Sequence, residues 1–317
     1  YSVSTGNNNT AVGWQAGDAL TTGSENTAIG LYALTSCTTH SANTALGYEA
    51  LAETTTENLT AVGYGALNKN TTGVGNVAVG YRARRFGTGH NYNTAIGYEA
   101  MEGVNGVNSG MNSSVAVGYG ALKGASTGGD NVAVGYNAMT ANTTGSANVA
   151  MGNAAFDANT TGSNCTAIGS AAMSKCDGAE KNTAVGREAM YELTSGDGNV
   201  AVGYQCMRLL TTGYSNVAIG HLAGDNVTTG FNSVYIGDNA GNTHATGNSG
   251  VYVGRATDSS STNVDDEFVF GTGLGGKGSG TFFAGGVNGA YNAANNSSWS
   301  TTSDRRIKKN ITNNTTG

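Results

Sequence analysis

Only 11% of the 317 residues are charged, and the chain holds four cysteines and four histidines, so the residues able to do chemistry can be taken one by one. Arg82, Arg84 and Arg85, beside His90 and Tyr92, form the one locally basic, aromatic-bearing patch. Such a patch suits contact with an acidic polysaccharide; a solvated turn is the plainer alternative. Glu49, Glu99 and Glu188 recur at one position of a repeat, and Asp265, Asp266 and Glu267 cluster together. Glycoside hydrolysis needs a pair of carboxylates at a set separation, which sequence alone does not supply. Cys37, Cys165, Cys176 and Cys206 show neither metal-site spacing nor a disulfide framework, so they are expected as free thiols, with Cys206 a small buried side chain. His40, His90, His221 and His244 are scattered, with no His-x-His pair, and are expected on surface turns. No metal or cofactor is expected.

The elements that must position these residues follow from the composition. Glycine supplies 51 residues and proline none. Proline removes a backbone donor, so a fold that uses nearly every N–H in a continuous ladder selects against it. The sequence pI of 5.1 argues against a nucleic-acid partner, and no apolar run is long enough to span a membrane.

A repeat sets the architecture. The phrase Asn-(Thr/Val)-Ala-(Val/Ile)-Gly recurs on fifteen glycines, from Gly13, Gly30 and Gly47 to Gly237 and Gly254. Twelve of the fourteen intervals are 17 residues; one is 16, and one, from Gly97 to Gly118, is 21. Alanine stands two before the glycine in thirteen units and three after it in thirteen, and Asn four before it in ten. Each unit reads as a short strand, a glycine bend, a second short segment and, in many units, a Thr-Thr-Gly turn such as Thr143-Thr144-Gly145.

Segments this short bury no core alone, so the units must stack. The expectation is an all-β parallel β-helix or β-roll of about fifteen 17-residue coils over residues 1–254, roughly 70 Å long at the usual strand spacing. The Val/Ile/Leu/Met residue before each glycine is expected to fill the interior. Ala and Gly suit the narrow positions, and the Asn column is expected to bond turn backbones and stack in a ladder. Trp14, Tyr48, Tyr64, Tyr81, Tyr98, Tyr119, Tyr136 and Tyr204 directly follow the repeat glycine. They read as a packing ladder or, functionally, as a platform for sugars. The extra residues within 101–114 are expected to bulge from the rod. The recurrent threonines leave an ice-binding solenoid as a further alternative.

The phrases Asn76-Val77-Ala78-Val79-Gly80, Asn131-Val132-Ala133-Val134-Gly135 and Asn216-Val217-Ala218-Ile219-Gly220 resemble the repeat in the heads of trimeric autotransporter adhesins. The resemblance covers residues 9–254 and implies a left-handed β-roll assembled as a homotrimer. Such repeats also occur in phage tail-fibre shafts. Residues 255–303 follow as a Gly/Ser/Asn-rich, β-structured distal region. Then Ser303-Asp304-Arg305-Arg306-Ile307-Lys308-Lys309-Asn310-Ile311 closely resembles the start of the intramolecular chaperone auto-processing domain of phage tail fibres and tailspikes. By that match Ser303 is the nucleophile of self-cleavage, Asp304 the first residue released and Lys308 the candidate base. Residues 304–317 are too few for the chaperone fold, so the segment present is expected not to cut itself.

Together the resemblances imply a tail fibre or virion fibre, assembled in the host cytoplasm. Its expected partners are other copies of itself, other tail proteins and a host-surface glycan or protein receptor. The shaft itself is expected to be no enzyme. The alternatives are a polysaccharide-depolymerising tailspike and an adhesin head at the cell surface.

Overall fold

A three-residue strand has one inward and two outward side chains, and in this chain the inward one is the alanine. The computed structural model describes residues 5–105 and 111–285, together with the backbone of 290–293 and 300–301. Strand β1 (Thr10–Val12) pairs in parallel with β2 (Thr27–Ile29) in the register Ala11↔Ala28. The same one-coil register repeats up the chain, through β8 (Val132–Val134) on β9 (Val149–Met151) to β14 (Val234–Ile236) on β15 (Val251–Val253). The ladder does not stop at Gly254: β16 (Phe268–Gly271) and β17 (Thr281–Gly285) extend it, still parallel. Seventeen strands thus form a parallel β-solenoid of about sixteen turns. Two antiparallel strands follow: β18 (Ala290–Ala293) pairs with β17, and β19 (Ser300–Thr301) pairs with β18.

The segments between strands join the ladder as well. Leu34 N–H donates to Ala50 O at 3.0 Å, Ser36 N–H to Ala52 O at 3.0 Å and Thr21 N–H to Thr38 O at 2.9 Å, each one coil on. A donor missing anywhere would leave a carbonyl of the next coil unpaired, which is the physical reason for the absence of proline.

The interior is narrow. From the second coil on both alanine columns are fully buried, as at Ala28 and Ala33. They face a third column four residues after the glycine, which holds Leu34, Leu51, Leu67, Met101, Leu122, Met139, Phe156, Met173, Met190 and Met207, all 1% exposed or less. The expectation for the residue before each glycine is overturned. That aliphatic column points out of the coil: Val12 is 57% exposed, Ile96 40%, Met151 41% and Ile219 42%. The reason is strand alternation. With alanine turned inward, its neighbours on either side must turn outward, and only a side chain of alanine's size fits opposite the Leu/Met column.

The repeat glycine is fixed by geometry. At Gly135 φ is 141°, a conformation L side chains rarely adopt, and a methyl there would overlap the carbonyl oxygen of Gly152 in the next coil. The Asn column behaves as its residue type suggests. Asn182 Oδ1 accepts from Asn199 N–H at 2.8 Å, and Asn199 Nδ2 donates to Gly213 O at 2.9 Å; Asn216 repeats both bonds one coil on. Each buried amide therefore ties its own coil to two neighbouring ones.

Candidate functional site

The columns give the rod three different outer surfaces. The first is the outward face of the sheet, formed by the Thr/Val and aliphatic columns flanking the inward alanine. The tyrosines after the repeat glycine border it. Rings of Tyr48, Tyr64, Tyr81, Tyr98, Tyr119 and Tyr136 stack in one series, neighbouring centroids 4.8–5.2 Å apart and planes within 21°. The stacking covers their faces and leaves their edges exposed, so these rings form a packing ladder and not a row of sugar platforms.

The second surface is the turn side. There the first threonine of each Thr-Thr-Gly spends its hydroxyl on the next coil: Thr143 Oγ1 donates to Thr160 O at 2.9 Å and Thr211 Oγ1 to Thr228 O at 3.0 Å. These hydroxyls are tied into the ladder, while the second threonines, such as Thr22, Thr144 and Thr161, stay exposed.

The third surface, on the segment that follows the glycine, carries the charges. Seven Lys/Arg–carboxylate ion pairs among the described residues lie there, including Lys69–Glu53, Lys123–Glu99 at 2.5 Å and Arg208–Asp225 at 3.0 Å, and so does the His221–Asp238 hydrogen bond at 2.8 Å. Lys123 also reaches Glu102 at 3.8 Å, and burial together with Glu99 raises the Glu102 carboxyl above its ordinary pKa.

The basic patch read from the sequence is divided. Arg84 is not on the surface. It occupies the Leu/Met column, 1% exposed, where its guanidinium donates to Gly87 O at 3.0 Å and His90 O at 3.1 Å and reaches Asn70 Oδ1 at 3.4 Å. Burial without a carboxylate partner lowers its pKa to about 10. Arg82 leans over the Tyr81 ring and lies 4.0 Å from Glu99. Tyr92 is 68% exposed beside Gly75, and burial, with the Arg84 charge, lowers the pKa of His90. Arg85 leaves this group and lines a shallow groove of about 450 Å³ with Tyr32, Thr35, Glu49, Glu53, Asn68 and Lys69.

His244 corrects the expectation of surface histidines. It is fully buried near the distal end, with Nδ1 2.6 Å from Tyr235 Oη and Nε2 2.8 Å from Val264 O. Since a carbonyl can only accept, Nε2 carries the proton and the Tyr235 hydroxyl donates to Nδ1. Burial holds the imidazole pKa below its ordinary value. Glu267 is buried too; its carboxylate accepts from Gly278 N–H at 2.7 Å, Ser260 N–H at 3.1 Å and the Tyr252 hydroxyl at 3.2 Å. Asp265 instead bonds Asn248 at the surface. The three acids at 265–267 therefore diverge, and Glu49, Glu99 and Glu188 stand on separate coils. Sequence reasoning by residue type missed Arg84 and His244; reading the repeat column each one occupies would have placed them inside.

The four cysteines are free and buried, and burial pushes Cys176 and Cys206 up to about 12. Cys206 fills an alanine position, as expected. Among the described residues no group of three or more His, Cys, Asp or Glu gathers to hold a metal, and no helix is long and apolar enough to cross a membrane. Ser303, Asp304 and Lys308 lie outside the described residues, as does part of the insertion at 101–114. Compared with family models, with curated proteins and with solved structures, the chain finds no match.

Proposed function

We propose that this chain is the shaft of a homotrimeric attachment fibre, of a phage tail or related virion, that carries host-surface recognition along a stiff rod. The observation that carries this reading is the outward face of the sheet. From Val12 through Ile96, Met151 and Ile219 to Ile236 it presents an aliphatic residue on coil after coil, half-buried or exposed in the single chain. Monomeric proteins rarely leave so long an apolar surface in water. A partner with the same repeat length can cover it along the whole rod, and another copy of this chain is such a partner. The number three comes from the resemblance to trimeric adhesin heads and tail-fibre shafts, and the maturation step from the phrase at Ser303–Ile311.

The function of such a rod is mechanical and multivalent. Stacked coils bonded at nearly every position give few hinges, and three copies raise the effective concentration of weak receptor contacts. The test is the mass of the assembled protein, extended beyond Gly317, by sedimentation and denaturing electrophoresis. A trimer is expected, with chains shortened at Ser303 and left uncut in Ser303→Ala. Lysines at Val134, Val185 and Val202 are expected to dissociate it. A wild-type monomer at micromolar concentration would remove the fibre reading.

A further inference from the structure

We propose that the groove on the charged side, between Tyr32 and Arg85, is a binding site for an uncharged hexopyranose chain. The inference rests on reading the rod as an attachment fibre and names where on it, and with what chemistry, a glycan would be held.

Three observations carry it. First, one tyrosine stands outside the stacked series, two residues after its repeat glycine instead of one. Tyr32 meets Tyr48 edge-on, at 83° and 6.1 Å between centroids, whereas the rings from Tyr48 to Tyr136 cover one another. No ring stacks on Tyr32 among the described residues, and Tyr32 lines the groove. An aromatic face left unstacked beside polar groups matches the apolar C–H face of a pyranose.

Second, a side chain is missing beside the groove. Two residues after the repeat glycine, successive coils carry Glu49, Gly65 and Arg82. Gly65 leaves a notch between a carboxylate and a guanidinium, and Arg85 lies across it, its Nε 3.7 Å from where a methyl on Gly65 would sit. That Nε is buried and has no hydrogen-bond partner, the kind of donor a ligand hydroxyl satisfies.

Third, the polar groups are of the kinds that hold vicinal hydroxyls and they sum to no charge. Glu49 and Glu53 are balanced by Lys69 and Arg85; Lys69 pairs with Glu53, and Asn68 Nδ2 donates to Glu49 O at 3.2 Å and reaches Glu49 Oε2 at 3.5 Å. Planar carboxylate, amide and guanidinium groups bind adjacent hydroxyls in pairs. With no net positive charge the groove offers a uronate or sialate no electrostatic attraction, which moves the reading away from the acidic polysaccharide that the arginine-rich sequence at 82–85 suggested.

The test uses the assembled fibre and immobilised maltohexaose, mannohexaose, chitohexaose and oligogalacturonate, with Glu49→Gln, Tyr32→Ala and, as a control on the same side of a distant coil, Lys175→Gln. The expected result is binding to at least one of the three uncharged chains. Glu49→Gln and Tyr32→Ala should each weaken it at least tenfold, with unchanged thermal unfolding and no effect of Lys175→Gln. Binding to oligogalacturonate alone, to none of the four, or with equal strength in both groove variants overturns the proposal. Adsorption of the fibre to host cells separates the two readings. If the trimer adsorbs and both groove variants adsorb equally well, the groove fails and the fibre stands. If the protein is a monomer that adsorbs to nothing, the fibre reading itself fails.

Discussion

From Ala28 to Ala201 the inward residue of each strand is alanine, and the residue six positions on is Leu, Met or Phe, with Arg84 the one polar occupant. In the distal coils the sizes are exchanged. Tyr235 and Tyr252 take the alanine position, fully buried and stacked 5.6 Å apart; Gly241 takes the place of Leu or Met in the coil of Tyr235, and Gly224 in the preceding coil, which keeps Ala218, leaves room for the same ring. The exchange conserves volume, which is what a close-packed interior requires. The difference teaches that the repeat specifies a cross-section and not particular residues. It also shows where polar chemistry can enter: the tyrosine hydroxyls bring His244 and Glu267 into the core with them, while the shaft interior relies on the Asn ladder. The coil that follows Gly80 obeys the same rule on a smaller scale, since Gly87 makes room for the guanidinium of Arg84, which a side chain there would overlap.

The comparison can be broken most severely by mixing the two solutions. A side chain at Gly241 would run into the Tyr235 ring, so Gly241→Met is expected to unfold the distal coils. Tyr235→Ala leaves a cavity costing about 3–5 kcal/mol and strips His244 of its donor. The double variant rebuilds the shaft's pairing of alanine with methionine and is expected to recover at least about 2 kcal/mol of the summed losses. Hydrogen exchange, read separately over residues 115–205 and 230–285, checks this without assuming that the rod unfolds all at once. Equal damage in the double and the single variants would show that the two cores are not interchangeable solutions of one cross-section.

A smaller effect is expected where the polar ladders differ. Asn199→Ala leaves the buried N–H of Asn216 and the carbonyl of Gly213 without their partners, at a cost of about 1–3 kcal/mol. Ser233→Ala, in the coil where the column has stopped being Asn, is expected to cost less. Its hydroxyl accepts one interior bond, from Gly250 N–H at 3.1 Å, where Asn199 bridges two neighbouring coils. Denaturant midpoints of the two variants decide the order.

Acid sharpens the contrast further. His244 is held neutral in the folded state, with its pKa below the unfolded value. The unfolded chain therefore binds the proton more readily, and the stabilisation is complete above the unfolded value near 6.5 and falls as pH drops toward the folded one. Glu267, Asp265 and Asp258 face the ring and oppose the shift, so the loss is local and partial. Amides of the distal coils are expected to lose protection as the pH falls below about 6.5 while those around Leu122 and Met139 do not. Removal of that difference in His244→Gln would assign it to this group.

Much of this was legible from residue spacing. The period, the short strands, the narrow alanine and glycine positions, the Asn ladder and the tyrosine stack all follow from columns of like residues, because a parallel ladder places identical positions one above another. The inside and outside of the strand did not follow. Hydrophobicity favours burial of Val12 or Ile219, but the sequence does not state how wide the coil is, and width decides that alanine goes in. The groove was hidden for a related reason. It lies beside Gly65 and Tyr32, two occupants of a position that holds no constant residue type, so no column of like residues announces it.

Backbone strain gives the smallest test, and it concerns what the shaft and the distal coils share. Five residues before the repeat glycine the chain turns left-handed in every coil, at Ala42 (φ 59°), Ala147 (φ 57°) and Ser249 (φ 56°) among others. A residue with a Cβ resists that conformation by about 1 kcal/mol, and two coils already carry glycine there, Gly75 (φ 66°) and Gly198 (φ 67°). Ala42 and Ala147 are exposed, so glycine removes the strain and sacrifices no packing. The flexibility it adds to the unfolded chain offsets part of the gain. Ala147→Gly is therefore expected to stabilise the shaft by about 0.5 kcal/mol, and Ala42→Gly by the same amount. A helix-like residue at the same site would give the opposite sign, so a loss of stability in both variants would mean that local packing, and not backbone conformation, governs the turn.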